Sequence, residues 1–390
     1  MSAEQGSEPG RSSLAGLLGQ FGRLGATAFG GPAAHVAMME DEFVQRRRWL
    51  DRETFARALA ATNLVPGPNS TEMAIHLGYR RRGVPGAIAS GSAFILPAAL
   101  AVAVLAWVYF QWGTTPRADD LFAGIRPAVV VLVALAAWRL RGPAQRNPLA
   151  IALAAGAFAV TLLAPRWEVV ALLGAGVIAL LASEHGLRGR LQRAIVAFPA
   201  PLLPLALPAL AVTLPDAVPI ALIHLKAGAL LFGGGYVIIP LLEPDAVAQG
   251  WLTESQFLDA IAIGQATPGP IVTTATFVGY AAGGWWGALI ATVAIFAPAF
   301  VFAISLGRLL DRLSASVGLG AFFEWLAAAV FGAIAGASVV LLMSLEANPL
   351  SGVVLVASGV VLLRSLLPSY AWLVLCGAAG LLYHAAELPA

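Results

Sequence analysis

Two cations, two glycine turns and two Pro-Gly-Pro triplets recur along this chain, and together they suit the holding of an anion. Arg23 stands six residues ahead of Phe29-Gly30-Gly31, and Lys226 six ahead of Phe232-Gly233-Gly234. Asn63-Leu64-Val65-Pro66-Gly67-Pro68 is answered by Gln265-Ala266-Thr267-Pro268-Gly269-Pro270, and Gly78-Tyr79 by Gly279-Tyr280. The separation is 203 between Phe29 and Phe232, 202 between Pro66 and Pro268, and 201 between Gly78 and Gly279. So small a drift points to one unit present twice.

A helix cannot run smoothly through Pro-Gly-Pro, and the helix that restarts after it directs unpaired backbone N–H groups and a positive dipole end at the break. The same physics seats phosphate on helix N-termini. The candidate anion contacts are therefore Asn63, Pro66, Gly67, Pro68, Asn69 and Ser70 in the first copy. In the second they are Gln265, Thr267, Pro268, Gly269, Pro270 and Thr273. Gly30, Gly31, Gly233 and Gly234 offer side-chain-free backbone for close approach to a ligand or for a hinge, with tight helix packing as the plainer reading. Arg23 and Lys226 read as lone cations in apolar segments, either marking an ion path or snorkelling to the interface. Glu72 and His76 are four apart on one helix face and form a candidate proton-coupling pair. A structural pair near Arg80–Arg82 is the alternative. Thr274 stands where the second copy would carry the acid. His35 is a weaker proton-relay candidate, and Glu40 and Glu243 match as tethers for the broken helices.

The elements that must position these residues are membrane helices. Of 390 residues 59% are hydrophobic and 11% charged, far from the quarter charged expected of a water-soluble domain. Apolar runs without charge, such as 83–116 and 260–307, exceed the roughly 20 residues that cross ~30 Å of hydrocarbon. One cysteine, Cys376, excludes an internal disulfide, and the sequence shows no zinc-type cluster and no P-loop. Neither a cofactor nor a metal nor a nucleic acid is expected, and no nucleophile–base set argues for an enzyme. The partners expected are the bilayer and a small oxyanion, and a homodimer is left open.

The chain divides into a polar tail at 1–13, a first repeat at 14–185, a basic turn and Pro-rich connecting span at 186–216, and a second repeat at 217–388. Lys and Arg mark cytoplasmic loops. Arg80–Arg82, Arg139/Arg141/Arg146, Arg188/Arg190/Arg193, Arg308/Arg312 and Arg364 are such clusters. Spans then fall near 84–110, 120–138, 148–164 and 167–183, and near 285–307, 321–345, 349–363 and 369–387. Arg80-Arg81-Arg82-Gly83 lies inside, whereas its twin Ala281-Ala282-Gly283-Gly284 counts to the outside. The expected fold is thus an all-α polytopic membrane protein of two inverted-topology repeats, with about 13 membrane segments. Its helices are broken or re-entrant at the Pro-Gly-Pro motifs. The linker 243–259, with Glu243, Asp245, Glu254 and Asp259 and no Lys or Arg, reads as an external loop. Paired, Gly/Pro-interrupted segments in two halves are where a transporter's site is sought.

With Phe29-Gly30-Gly31-Pro32, Trp49-Leu50, Asn63 to Asn69 and Gly78-Tyr79 in one half, and Phe232 to Gly235, Trp251-Leu252 and Gln265 to Pro270 in the other, the chain resembles the chromate ion transporter family in its two-domain, fused form. That resemblance implies export of chromate from the cytoplasm, with sulfate as a similar oxyanion, through a multi-pass protein of the cytoplasmic membrane. A carrier working by alternating access is the reading adopted. An anion channel, or a carrier for another small anion, stays open from the residues alone.

Overall fold

The computed structural model describes residues 13–62, 67–113, 115–145, 148–182, 217–232, 234–306 and 317–387. The tail before 13, the whole connecting span at 186–216, and the candidates Asn63, Pro66 and Gly233 lie outside the described residues. Everything regular among those described is helical. The first half holds α1 (Leu14–Thr27), α2 (Gly31–Glu40, continued by a π turn at Asp41–Arg46), α3 (Arg52–Thr62), α4 (Asn69–Trp112), α5 (Pro116–Leu140), α6 (Pro148–Leu163) and α7 (Glu168–Ala182). The second holds α8 (Ala217–Ala229), α9 (Ile238–Ala248), α10 (Glu254–Ala266), α11 (Thr274–Leu306), α12 (Val317–Met343), α13 (Pro349–Leu363) and α14 (Ser369–Glu387).

Five described segments are long and apolar enough to cross a bilayer: Asn69–Trp112, Pro116–Leu140, Ile271–Ser305, Trp325–Met343 and Ser369–Ala386. Four shorter apolar helices accompany them. The expected count of about 13 membrane segments is not reached by this measure, because the repeats begin with short helices interrupted by Gly and Pro. Large apolar side chains such as Leu100, Val293 and Val356 face outward, as suits helices immersed in lipid.

Local geometry repeats at matched positions. Within α4, Arg82 and Gly83 leave helical conformation (φ −144° and 60°), and within α11 Gly283 and Gly284 do the same (φ −157° and 59°). Each long helix is therefore a hairpin with a short and a long arm. Ser90 Oγ donates to Ala74 O across the first (2.8 Å), and Thr276 and Thr292 hydroxyls bond across the second (2.8 Å). Gly78 lies against Gly86 and Gly279 against Gly287 so closely that a side chain on either would strike backbone, the small-residue contact that lets membrane helices approach. The short first arm, residues 69–81, is about 20 Å long by helical rise, less than a full crossing.

The same correspondence governs how the first helix of each half packs. Gly25 of α1 abuts the Phe94 backbone, and Gly228 of α8 abuts that of Ile295. The aromatic pair Phe21–Trp49 (6.4 Å between ring centroids) has its twin in His224–Trp251 (6.3 Å). Around these contacts the apolar side chains form unequal cores. Leu17, Phe21, Met39, Phe43, Phe55 and Met73 make a cluster confined to α1–α4. The elements α8–α11 join one large core with α4, α5 and α12.

Candidate functional site

Both Pro-Gly-Pro segments interrupt the helices as expected. Helix α3 ends at Thr62 and α4 starts at Asn69; α10 ends at Ala266 and a short 3-10 turn, Ile271–Thr273, leads into α11. Pro68 and Pro270 occupy the capping positions, and no side chain caps either start. The leading N–H groups of both helices thus keep the electrostatic character of an uncapped N-terminus. Gly67 and Gly269 take φ of 152° and 105°, conformations in which an L side chain is strained.

What holds the breaks in place is an exchange between halves. The Gly67 N–H donates to Leu231 O, and the Gly269 N–H donates to Ala28 O, both at 2.8 Å. Ala28 and Leu231 are the residues directly before Phe29 and Phe232. Each break is therefore fastened to the glycine turn of the opposite half. Each also lies against the opposite long arm: Gly67 faces Ala299 and Gly269 faces Ala98, the residues after Pro298 and Pro97. These contacts place each break on its partner's scaffold, and no backbone hydrogen bond joins one Pro-Gly-Pro to the other among the described residues.

Side chains reinforce the same junctions. His35, buried, receives Ser70 Oγ at Nδ1 (3.1 Å) and reaches Ala28 O through Nε2 (3.0 Å). Because a carbonyl only accepts, Nε2 carries the proton and Nδ1 accepts from Ser70 in the neutral ring. His35 thereby ties the first glycine turn to the start of α4 and shares Ala28 O with Gly269. In the second half Gln265 Nε2 donates to Tyr236 Oη (2.6 Å), tying the end of α10 to the turn that follows Gly234. Gly30, Gly31 and Gly234 all hold positive φ (101°, 79° and 124°). Asn69 and Pro268 are half-buried beside the breaks. Thr267 and Thr273 donate their hydroxyls to the local carbonyls of Ile263 and Pro270.

Glu72 sits inside this assembly, with its carboxylate against the Gly67 backbone. It is fully buried, and neither oxygen has a hydrogen-bond partner among the described residues. His76, the other member of the candidate proton-coupling pair, is also buried one turn on. A buried carboxyl without a partner is costly.

The cations are not lone, contrary to the reading of the sequence. Arg23 Nη2 contacts Glu42 Oε2 at 2.7 Å, and Lys226 Nζ contacts Asp245 Oδ2. Both partners follow nineteen residues later, so the pair itself is duplicated. Glu42 also takes Arg47 Nε at 2.6 Å. Burial alone would raise the Glu42 pKa, but the Arg47 and Arg23 guanidiniums hold it below the usual carboxylate range. The Arg23 side chain remains 59% exposed, and the described contacts of Arg23 and Lys226 do not include the Pro-Gly-Pro residues. Sequence reasoning passed over Glu42 and Asp245 in favour of Glu40 and Glu243. Glu40 instead pairs with Arg52 (3.1 Å), while Glu243 is buried within α9. The missed signal was present, since Glu42 and Asp245 are also 203 apart.

A further constellation has no twin. Asp259 is completely buried in α10, not in an external loop as its sequence position had indicated. It accepts from Arg126 Nε and Nη2 (2.8 and 2.9 Å) and from Tyr109 Oη (2.8 Å). An arginine this far inside an apolar span was the visible clue.

The family model described as "Chromate transporter" matches residues 15–181 and again 218–381. The chain is 35% identical over 342 residues to the chromate transport protein of Pseudomonas aeruginosa, covering 83% of this chain and 80% of that one. It is 33% identical over 336 residues to a probable chromate transport protein of Synechococcus elongatus, covering 84% of each. With the chromate transport protein of Cupriavidus metallidurans it shares 33% identity over 335 residues, covering 84% of this chain and 82% of the other. No solved structure matches the chain.

Proposed function

The chain belongs to the chromate transporter family, and from that premise we propose that it exports chromate, and sulfate-like tetrahedral oxyanions, across the cytoplasmic membrane as a secondary carrier. The observation that carries the reading is the reciprocal pair of breaks: two uncapped helix starts, each fastened to the other half by one backbone hydrogen bond. A small dianion is bound by the N–H groups and dipoles of these starts, with Asn69, Ser70, Gln265, Thr267 and Thr273 completing its hydrogen bonds. Gly30, Gly31, Gly234 and the candidates Asn63, Pro66 and Gly233 let backbone approach it. Arg23 and Lys226 compensate its charge by exchanging a carboxylate partner for the anion.

The two halves are read as inverted, and alternate exposure follows from their rocking about the bound anion. Matched hairpins, matched ion pairs and the exchange of hydrogen bonds support a two-fold relation between halves. The charge pattern of the loops supports the inversion. Because a single hydrogen bond between the halves is weak, each junction is one that a rocking motion can break and remake. Membrane potential, negative inside, favours outward passage by ~2.3 kcal/mol per charge per 100 mV, so a dianion needs no companion ion. Glu72, with His76 and His35 nearby, adds a proton-binding position in one half only.

Uptake of radiolabelled chromate by everted membrane vesicles tests the assignment. Saturable uptake that unlabelled sulfate inhibits is expected. Vesicles containing inserted protein that take up neither anion contradict the substrate assignment.

A further inference from the structure

The carboxylate of Asp259 uses both oxygens to receive three donors, two from Arg126 and one from Tyr109. Asp259 belongs to α10 of the second half. Tyr109 lies on the long arm of α4 and Arg126 on α5, both in the first half. The pair is bidentate and charge-assisted, the strongest class of side-chain hydrogen bond. Arg126 Nη2 also reaches Asp119 (3.0 Å), which is largely exposed. One end of the network thus opens toward the α5 N-terminus while the other is sealed.

The twin half-helix behaves differently. Where α10 has Asp259, α3 has Arg57, which pairs with Glu53 on its own helix in the open (3.0 Å). The position matched to Arg126 falls in Ala327-Ala328-Ala329. Helix α10 packs on α4, α5, α12 and α14, whereas the main packing of α3 is on α4 of its own half. Helix α10 is buried through most of its length, and α3 exposes Arg52, Glu53, Ala56, Arg57 and Ala60. Among the described residues the two-fold repeat is thus broken at one feature, a cross-half lock seen on one side alone.

We infer that Arg126, Asp259 and Tyr109 form the external gate of the transport path, and that the structure is the conformer closed to the outside and open to the cytoplasm. The side follows from charge: α3 is entered from the arginines 46–48, a cytoplasmic signature, whereas the turn into α10, residues 249–253, carries no Lys or Arg. The inference rests on the carrier reading above. Opening this gate removes the buried counter-charge of Arg126 and leaves it only the largely exposed Asp119, which is unfavourable in an apolar segment. A dianion arriving from the breaks supplies that charge, so the loaded carrier opens outward more readily than the empty one. A ligand shifts such an equilibrium only through differential affinity, and Arg126 freed from Asp259 is where that difference arises.

Side-specific thiol labelling tests the gate without relying on flux. In a Cys376→Ser background, Ala262→Cys places a buried thiol one turn beyond Asp259 on α10. With the lock intact, a membrane-impermeant maleimide added outside intact cells labels this thiol slowly, and chromate accelerates the labelling. Asp259→Asn or Arg126→Gln raises the external rate at least about fivefold, the lower end of usual coupling between states. The exchange Arg126→Asp with Asp259→Arg returns the rate toward its starting value, a rescue that lost packing would not give. If either single variant fails to insert, Tyr109→Phe, which removes one hydrogen bond, carries the test with a smaller rise. An unchanged rate in inserted Asp259→Asn and Tyr109→Phe proteins overturns the gate. A gate response without chromate flux in the unaltered protein leaves the gate standing and removes the substrate assignment.

Discussion

At the scale of residues, the chemistry rests on groups whose partners are exchangeable. Arg23 is held by Glu42, which Arg47 also engages. On the proposed reading the carboxylate keeps Arg23 placed until the anion displaces it. Arg23→Glu is expected to abolish uptake into everted vesicles in protein that still inserts, and preserved uptake would remove Arg23 from the path. Glu42→Gln should lower stability by about 1–2 kcal/mol, less than a fully buried pair would give because both arginines are partly solvated. The Glu42 pKa is depressed in the folded protein. Its contribution is therefore complete at neutral pH and is lost as the pH falls below the usual carboxylate range. Thermal melts of wild type and Glu42→Gln in detergent should differ at pH 7 and converge under acid conditions; a difference that grows on acidification would contradict this pairing. Glu72→Gln should leave insertion intact and remove the pH dependence of transport, which flux measured across a pH series would show.

At the scale of elements, the breaks are specified by sterics as much as by proline. Gly269 combines φ of 105° with a space in which an added Cβ would lie 2.6 Å from the Ala98 Cβ and 3.3 Å from Gly25 O. Gly269→Ala should therefore cost about 1–3 kcal/mol of backbone strain plus the clash and strongly reduce transport. Ala98→Gly in the same chain relieves the clash but not the strain, so recovery should be partial. Full recovery would mean that φ at this position is unimportant. The helices that these breaks interrupt were largely legible in the sequence. Hydropathy and basic loops placed spans at 148–164 and 349–363, and the helices are Pro148–Leu163 and Pro349–Leu363. Gly and Pro punctuation located both breaks, because those residues act through local backbone geometry that sequence displays directly. The hairpin turns at Gly83 and Gly284 were also marked, as the loops preceding the long arms.

At the scale of the whole molecule, what the sequence did not reveal is everything that joins the halves. The Gly67–Leu231 and Gly269–Ala28 hydrogen bonds use backbone atoms, so no side-chain type announces them. The Arg126–Asp259 pair links residues 133 apart, beyond any periodicity, and Asp259 was read as part of an acidic loop because its neighbours are acidic. Repetition explains why so much else was readable, since each feature had a twin against which to check it. The lock has none among the described residues, and on the proposed carrier reading that asymmetry distinguishes a closed side from an open one. The measurement that bears most directly on the account is chromate flux in proteoliposomes with membrane potential and pH gradient set independently. The account predicts saturable flux that moves net negative charge, follows the imposed potential and is competed by sulfate. Flux that rises linearly with chromate without saturating, or that ignores the potential, would contradict a carrier binding a dianion between two opposed helix starts.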